Sequence, residues 1–255
     1  MTPIVVIPAH LASTRLPGKP LADIHGTPMI VHVWRRAMAA QVGPVVVACA
    51  EEEIAAVVRA AGGEARLTRA DHPSGSDRVF EAVEAFDPER RYDPVVNLQG
   101  DLPDIEASAV RALLRPLAEP AVDIATLVAR ITEAAERADP NVVKAAVAFP
   151  EGRSPIAPQI ARALYFSRAS VPWDGGDESR PLYHHIGVYA FRRAALERFV
   201  GLPASPLETR ERLEQLRAME AGLRVDAALV DRVPIGVNTP AELARARELM
   251  APPGG

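Results

Sequence analysis

The chain has 255 residues, enough to bury a full hydrophobic core in one large α/β domain or two smaller ones. Apolar residues make up 48% and charged residues 24%, as in ordinary soluble proteins, and the net charge of −4 argues against a nucleic-acid binder, which would carry a basic stripe. The single cysteine, Cys49, excludes an intramolecular disulfide and a cysteine metal cluster and suits a reducing cytoplasm.

The first apolar run, PIVVIPA (3–9), predicts a strand. It has no basic start and is broken by Pro3 and Pro8, so it does not read as a signal peptide. No apolar stretch approaches the roughly 20 residues that a membrane helix needs. The loop ASTRLPGKPL (12–21) follows, with one glycine, two prolines and the cations Arg15 and Lys19. A Walker A loop needs several glycines and a Ser or Thr after its lysine, whereas Pro20 follows Lys19 here. Prolines have no N–H to donate, so the loop is expected to present two side-chain cations to an anion rather than a nest of amides.

PMIVHVWRRAMAAQ (28–41) reads as a helix with Thr27 as N-cap and Pro28 in its first position. PVVVACA (44–50) is a second strand, and EEEIAAVVRAAGG (51–63) a helix ended by Gly62 and Gly63. After a short strand at EARL, the loop TRADHPSGSD (68–77) leads into a helix from about residue 76, with Ser76 or Asp77 as its cap. The small residues Ser74, Gly75 and Ser76 would also let a base or ribose approach closely. PVVNLQ (94–99) is a buried strand that runs into Gly100 and Asp101. A carboxylate at a strand's carboxyl end, opposite a cationic loop, can hold Mg²⁺ against phosphate oxygens or simply shape a turn.

DIATLVARI (123–131) and VVKAAVAF (142–149) predict two more strands. The βαβ rhythm implies an α/β fold with a mainly parallel central sheet and helices on both faces. Six of the twelve aromatics then fall between residues 165 and 191, around the polar segment DGGDESRP (174–181), which is expected to be mobile. SPLETRERLEQLRAMEAG (205–222) reads as one helix with Ser205 and Glu208 at capping-box spacing, and NTPAELARARELM (238–250) as the last, capped by Thr239 and Glu242. A single domain over 1–250 and a disordered tail at 251–255 are expected.

In this order, IPAHLASTRLPGKPL, TRADHPSGSDR, NLQGDLP, ALYFSRASVPW, HHIGVYAF, SPLETRERLEQLR and GVNTPAEL closely resemble the 3-deoxy-manno-octulosonate (KDO) cytidylyltransferases over nearly the whole chain. The resemblance implies a nucleotide-diphospho-sugar transferase fold, Mg²⁺ dependence and a homodimer. It also implies that CTP and KDO give CMP-KDO and pyrophosphate for lipopolysaccharide synthesis. By the same resemblance Arg15 and Lys19 bind the triphosphate, Asp101 binds metal, and Gln99 contacts substrate. Ser74, Gly75, Ser76 and Arg78 lie near cytosine and ribose, and Arg168, His185, Tyr189, Glu214 and Gln215 match positions for the acidic sugar. Tyr189 could equally serve the core or a dimer interface. One departure is Asn238, where the family has a metal-binding Asp. Cytidylyltransfer to another acidic sugar, a sialic acid or an amino-KDO, and a catalytically weak nucleotide-binding protein remain the alternatives.

Overall fold

The computed structural model describes residues 2–149, 159–177 and 179–251. Residues 252–255 of the expected tail, and residue 178 of the 174–181 segment, lie outside them. The chain groups into two compact units, residues 1–110 with 234–255, and residues 111–233.

The first unit begins with β1 (Ile4–Ala9), β2 (Asp23–Ile24) and β3 (Thr27–Pro28), then α1 (Met29–Ala40), β4 (Val45–Cys49), α2 (Glu52–Ala60) and β5 (Glu64–Leu67). It continues through α3 (Gly75–Phe86) and β6 (Val95–Asn97) into α4 (Ala107–Leu113). β1 pairs in parallel with β4 on one side and β6 on the other, and β4 with β5. Val5 stands opposite Val45 and Val96, and these β-branched strands are buried on both faces, as a helix-covered parallel sheet requires. The βαβ rhythm expected from the sequence is complete here.

Two local expectations are corrected. β2 and β3 pair antiparallel across His25 and Gly26, both at positive φ, the combination a tight two-residue hairpin needs. Thr27 is consumed by that hairpin, so α1 starts at Met29 with Pro28 as an extended N-cap and no side-chain cap. In α3 neither Ser76 nor Asp77 is the cap. Ser74 Oγ accepts from both of their backbone amides.

The second unit contains β7 (Ile124–Arg130), α5 (Ala134–Ala138), β8 (Lys144–Val147), β9 (Ile160–Ser167) and β10 (Tyr183–Phe191). α6 (Arg193–Val200), α7 (Pro206–Glu211), α8 (Gln215–Glu220) and β11 (Val225–Val230) complete it. Here antiparallel pairing dominates, and β7–β11 is the parallel pair. Antiparallel neighbours need no crossover helix, and between β7 and β10 the only described helix is the five-residue α5. β8 pairs with both β9 and β10, so the five strands close on themselves at His184 and Lys144.

The predicted helix at 205–222 is broken in two. Its capping box is present, with Ser205 Oγ accepting from Glu208 N and Glu208 reaching back to Ser205 N, a device whose loss costs about 1 kcal/mol. Arg212 then turns left-handed at φ 55, because Arg168 takes the carbonyls of Glu211 and Arg212 that a continuous helix would use internally. From β11 the chain returns to the first unit as α9 (Pro240–Leu249), capped as expected by Thr239. Leu243 and Ala246 of α9 pack on Ile24 and Met29.

Candidate functional site

In the first unit the loops after β1, β5 and β6 open at the carboxyl end of the parallel strands and enclose a cleft of about 420 Å³. Its walls include Arg15 and Lys19 from the first loop, His72, Ser74, Gly75 and Arg78 from the second, and Gln99, Gly100 and Asp101 from the third. The sequence reading placed all of these residues except His72 in loops facing one ligand site, and the structure brings them around one cavity.

The first loop is braced from inside. Leu11 N donates to Glu51 Oε1 at 3.0 Å, Leu16 N to Ser13 Oγ at 3.3 Å, and Gly18 N to Leu11 O at 3.3 Å. Gly18 sits at φ 69, and a 3₁₀ turn at Lys19–Leu21 follows it. Arg15 is exposed and has no ion-pair partner among the described residues, so its charge is available to an anion. Lys19 is engaged. Its Nζ donates to Asp101 Oδ2 at 2.9 Å and to Asn238 Oδ1 at 3.0 Å, with Lys19 and Asp101 side chains 17% and 23% exposed.

Asp101 is held in place by backbone. Gly100 passes so close to β1 that a Cβ there would lie 2.8 Å from Pro8 O, and Asp101 O accepts from Val237 N at 2.9 Å. Gln99 Nε2 donates to Asn97 Oδ1 at 3.1 Å, and the buried Asn97 donates to Ser76 Oγ at 3.3 Å. Ser76 is thus a buried link in this chain, while Ser74 and Gly75 line the cleft. Arg78 is 3% exposed, and its guanidinium binds Thr68 Oγ1 and the carbonyls of Arg69 and Ala70, which shapes the second loop.

The Asp101 and Asn238 oxygens converge on one point, the position of Nζ. All-oxygen donors with one carboxylate suit Mg²⁺, which takes one or two protein ligands and completes its shell with water and substrate phosphate. Among the described residues no group of three or more His, Cys, Asp or Glu could hold a metal without such help. The residues present fit Mg²⁺ as a ligand shared with a phosphate.

The residues expected to meet the sugar lie in the second unit. His185 is buried beside Phe166, with ring centroids 4.5 Å apart, and Tyr189, at 5.6 Å. One ring nitrogen lies 3.0 Å from Thr126 Oγ1 and the other 3.5 Å from Gln215 Nε2. Thr126 Oγ1 donates to Val188 O at 2.8 Å, so the neutral Nε2–H tautomer satisfies every group in the chain. Burial, reinforced by neighbouring His184, holds the His185 pKa down to about 3, and burial beside the Lys144 ammonium holds His184 down to about 4. Burial and the Glu214 charge raise the Tyr189 phenol.

Arg168 turns its guanidinium onto backbone: Nε to Glu211 O at 2.8 Å, Nη1 to Pro140 O at 2.9 Å. Its own amide donates to Glu211 Oε2 at 3.0 Å. Burial pushes the Glu211 carboxyl up, but that amide, Ser167 and Tyr165 together hold it below the usual range. Three groups escaped the sequence reading: Glu211, the fully buried Lys144, and His72, hydrogen-bonded to Glu81 in the cleft wall. A charged helix face, a strand lysine and a loop histidine each look solvated in one dimension.

A family model described as cytidylyltransferase matches residues 4–225. The chain is 60% identical over 250 residues to the 3-deoxy-manno-octulosonate cytidylyltransferase of Paramagnetospirillum magneticum, covering 98% of each. It is 61% identical over 249 residues to the enzyme of that name from Parvibaculum lavamentivorans, covering 98% of this chain and 93% of the relative. Among solved structures it is similar to a CMP:2-keto-3-deoxy-manno-octonic acid synthetase complexed with CTP, at TM-score 0.87 and 42% identity, over 98% and 99% of the two chains. A 4-diphosphocytidyl-2C-methyl-D-erythritol synthase from Anaerococcus prevotii shares the fold alone, at TM-score 0.62 and 11% identity over 98% and 99% of the two chains. With most of its expected phosphate, base and metal residues drawn around one cleft and a family match spanning most of its length, the chain belongs to the cytidylyltransferases.

Proposed function

We propose that this chain transfers CMP from CTP to the anomeric hydroxyl of 3-deoxy-manno-octulosonate, releasing pyrophosphate. The supporting observation is a cleft with Arg15 and Lys19 beside Asp101, in a chain 60% identical over 98% of its length to a relative named for that reaction. The sugar hydroxyl oxygen bonds to the α-phosphorus and releases its proton to solvent as the bond from that phosphorus to the bridging oxygen breaks. Negative charge grows on the departing pyrophosphate, and Arg15 and Lys19 are placed to neutralise it, the main lever in such a displacement. Ser74, Gly75 and Arg78 shape the wall that takes cytosine and ribose, and Gln99 extends it. Asp101 and Asn238 would hold Mg²⁺, which supplies further charge neutralisation at phosphate oxygens when bound. Arg168, His185, Tyr189, Glu214 and Gln215 would form the acidic-sugar site, where the neutral His185 ring, held between Thr126 and Gln215, adds no charge of its own.

The exposed Leu164, at 64%, and Trp173, at 85%, support a homodimer formed through the aromatic region. No described helix is long and apolar enough to cross a membrane; a cytoplasmic reaction is proposed from the free, buried Cys49, which suits a reducing compartment. The test is pyrophosphate release with each nucleoside triphosphate against KDO, an amino-KDO and a sialic acid. Turnover confined to CTP with KDO is expected. Preference for another acidic sugar would shift the substrate, and CTP binding with no turnover would make the chain a nucleotide-binding protein.

A further inference from the structure

We infer that Lys19 is the resident cation of the Asp101–Asn238 oxygen pair. On this view a divalent metal and the Lys19 ammonium exchange at one position, and this exchange delivers Lys19 to the nucleotide phosphates. The inference rests on the proposed function for the identity of the anion, but its geometry belongs to the free protein. Nζ lies 2.9 Å from Asp101 Oδ2 and 3.0 Å from Asn238 Oδ1, so it already occupies the point on which both oxygens converge. A divalent ion bound by both would sit about 2.1 Å from each, within a few ångströms of that ammonium. Two cations so close repel strongly in a partly buried site.

The chain is built for the exchange. Asn238 is neutral, so the +1 of Lys19 balances the −1 of Asp101, and no net charge remains to attract a metal while Lys19 stays. The Lys19 backbone is fixed, with its N–H bonded to Leu16 O at 3.1 Å and its carbonyl to Ala22 N at 3.1 Å. Only the flexible four-carbon stem has to move. That stem lines the cleft that also contains Arg15 and Ser13, so the ammonium can leave the oxygens for a bound triphosphate without any change in the loop. A triphosphate that draws Lys19 away vacates the metal position, and by reciprocity a metal there favours triphosphate binding.

The experiment is a Mn²⁺ titration of the nucleotide-free protein, read by the electron paramagnetic resonance of free Mn²⁺, with turnover of wild-type protein on CTP and KDO measured in parallel. Lys19→Met should bind Mn²⁺ about tenfold more tightly than wild type. Lys19→Arg, which keeps a cation on the loop, should stay as weak as wild type. Asp101→Asn added to Lys19→Met should abolish the gain. Adding CTP should raise Mn²⁺ affinity by a larger factor in wild type than in Lys19→Met. Equal or weaker Mn²⁺ binding by Lys19→Met overturns the inference, and so does no binding to either protein. In both cases intact wild-type turnover would leave the proposed function standing, whereas tighter binding by Lys19→Met without turnover would count against the function alone.

Discussion

Gly100→Ala is expected to damage the site through its frame rather than its chemistry. A Cβ at this position would stand 2.8 Å from Pro8 O, where ordinary contact begins at 3.4 Å, so about 0.6 Å must be found. Pro8 O is backbone and the Cβ position is fixed by the backbone of residue 100, so neither can rotate away. Pro8 lies in β1, whose neighbour Val6 O accepts from Leu98 N at 3.0 Å, so the strand side is rigid and the 99–101 segment has to move. Overpacking of this kind costs about 1–3 kcal/mol. Because Asp101 moves with it, and a 1 Å misplacement costs about 10²-fold, a shift of 0.6 Å should cost roughly tenfold in kcat. Urea denaturation and steady-state kinetics would measure the two effects. Gly201→Ala is the control, since its Cβ would meet nothing closer than 3.5 Å. Wild-type stability and turnover in Gly100→Ala would refute the claim that close packing of Gly100 on β1 positions Asp101.

Arg15→Ala and Lys19→Ala should each lower turnover by about 10²-fold or more with little change in melting temperature, because they remove charge from a loop rather than packing from a core. Near-normal turnover in both would remove them from the reaction. Asn238→Asp should lower the Mg²⁺ concentration for half-maximal activity by roughly tenfold, as a charged oxygen replaces a neutral one. Superimposable magnesium titrations would mean that position 238 does not touch the metal. The His185 pKa is about 3 folded against 6.5 unfolded, so the unfolded chain binds the proton first as pH falls, and stability is lost between those values. From pH 6.5 to 4.5 the loss is about 2–3 kcal/mol for this residue, and His185→Asn should flatten the pH dependence of melting; an unchanged slope would contradict it. Sedimentation should give a dimer at micromolar concentration, and a monomer there would contradict the role given to Leu164 and Trp173.

The parallel strands, the capping box at Ser205 and the Thr239 cap were legible because each depends on local pattern. So was the loop with Arg15 and Lys19, whose prolines already excluded an amide nest. The features that sequence reading missed depend on partners far along the chain. The helix break at Arg212 is imposed by Arg168, 44 residues away, and Lys144 is buried because β8 closes on β10. His25–Gly26 lacks the Asn-Gly or Asp-Gly signature, although its backbone adopts the same turn. The resemblance puts Ser76 and Arg78 near cytosine and ribose, and the fold adds what one dimension hides, that both are buried and hydrogen-bonded within the loop and its neighbouring strand.

If the first-unit cleft binds CTP for transfer of its CMP to an acidic sugar, the purified protein must form a sugar nucleotide and pyrophosphate together. Pyrophosphate release by the purified protein with CTP, KDO and Mg²⁺, with CMP-KDO identified by mass, tests it most directly. Stoichiometric pyrophosphate and CMP-KDO are expected, with UTP, ATP and GTP inactive. Saturable CTP binding with no pyrophosphate from any acidic sugar would contradict it.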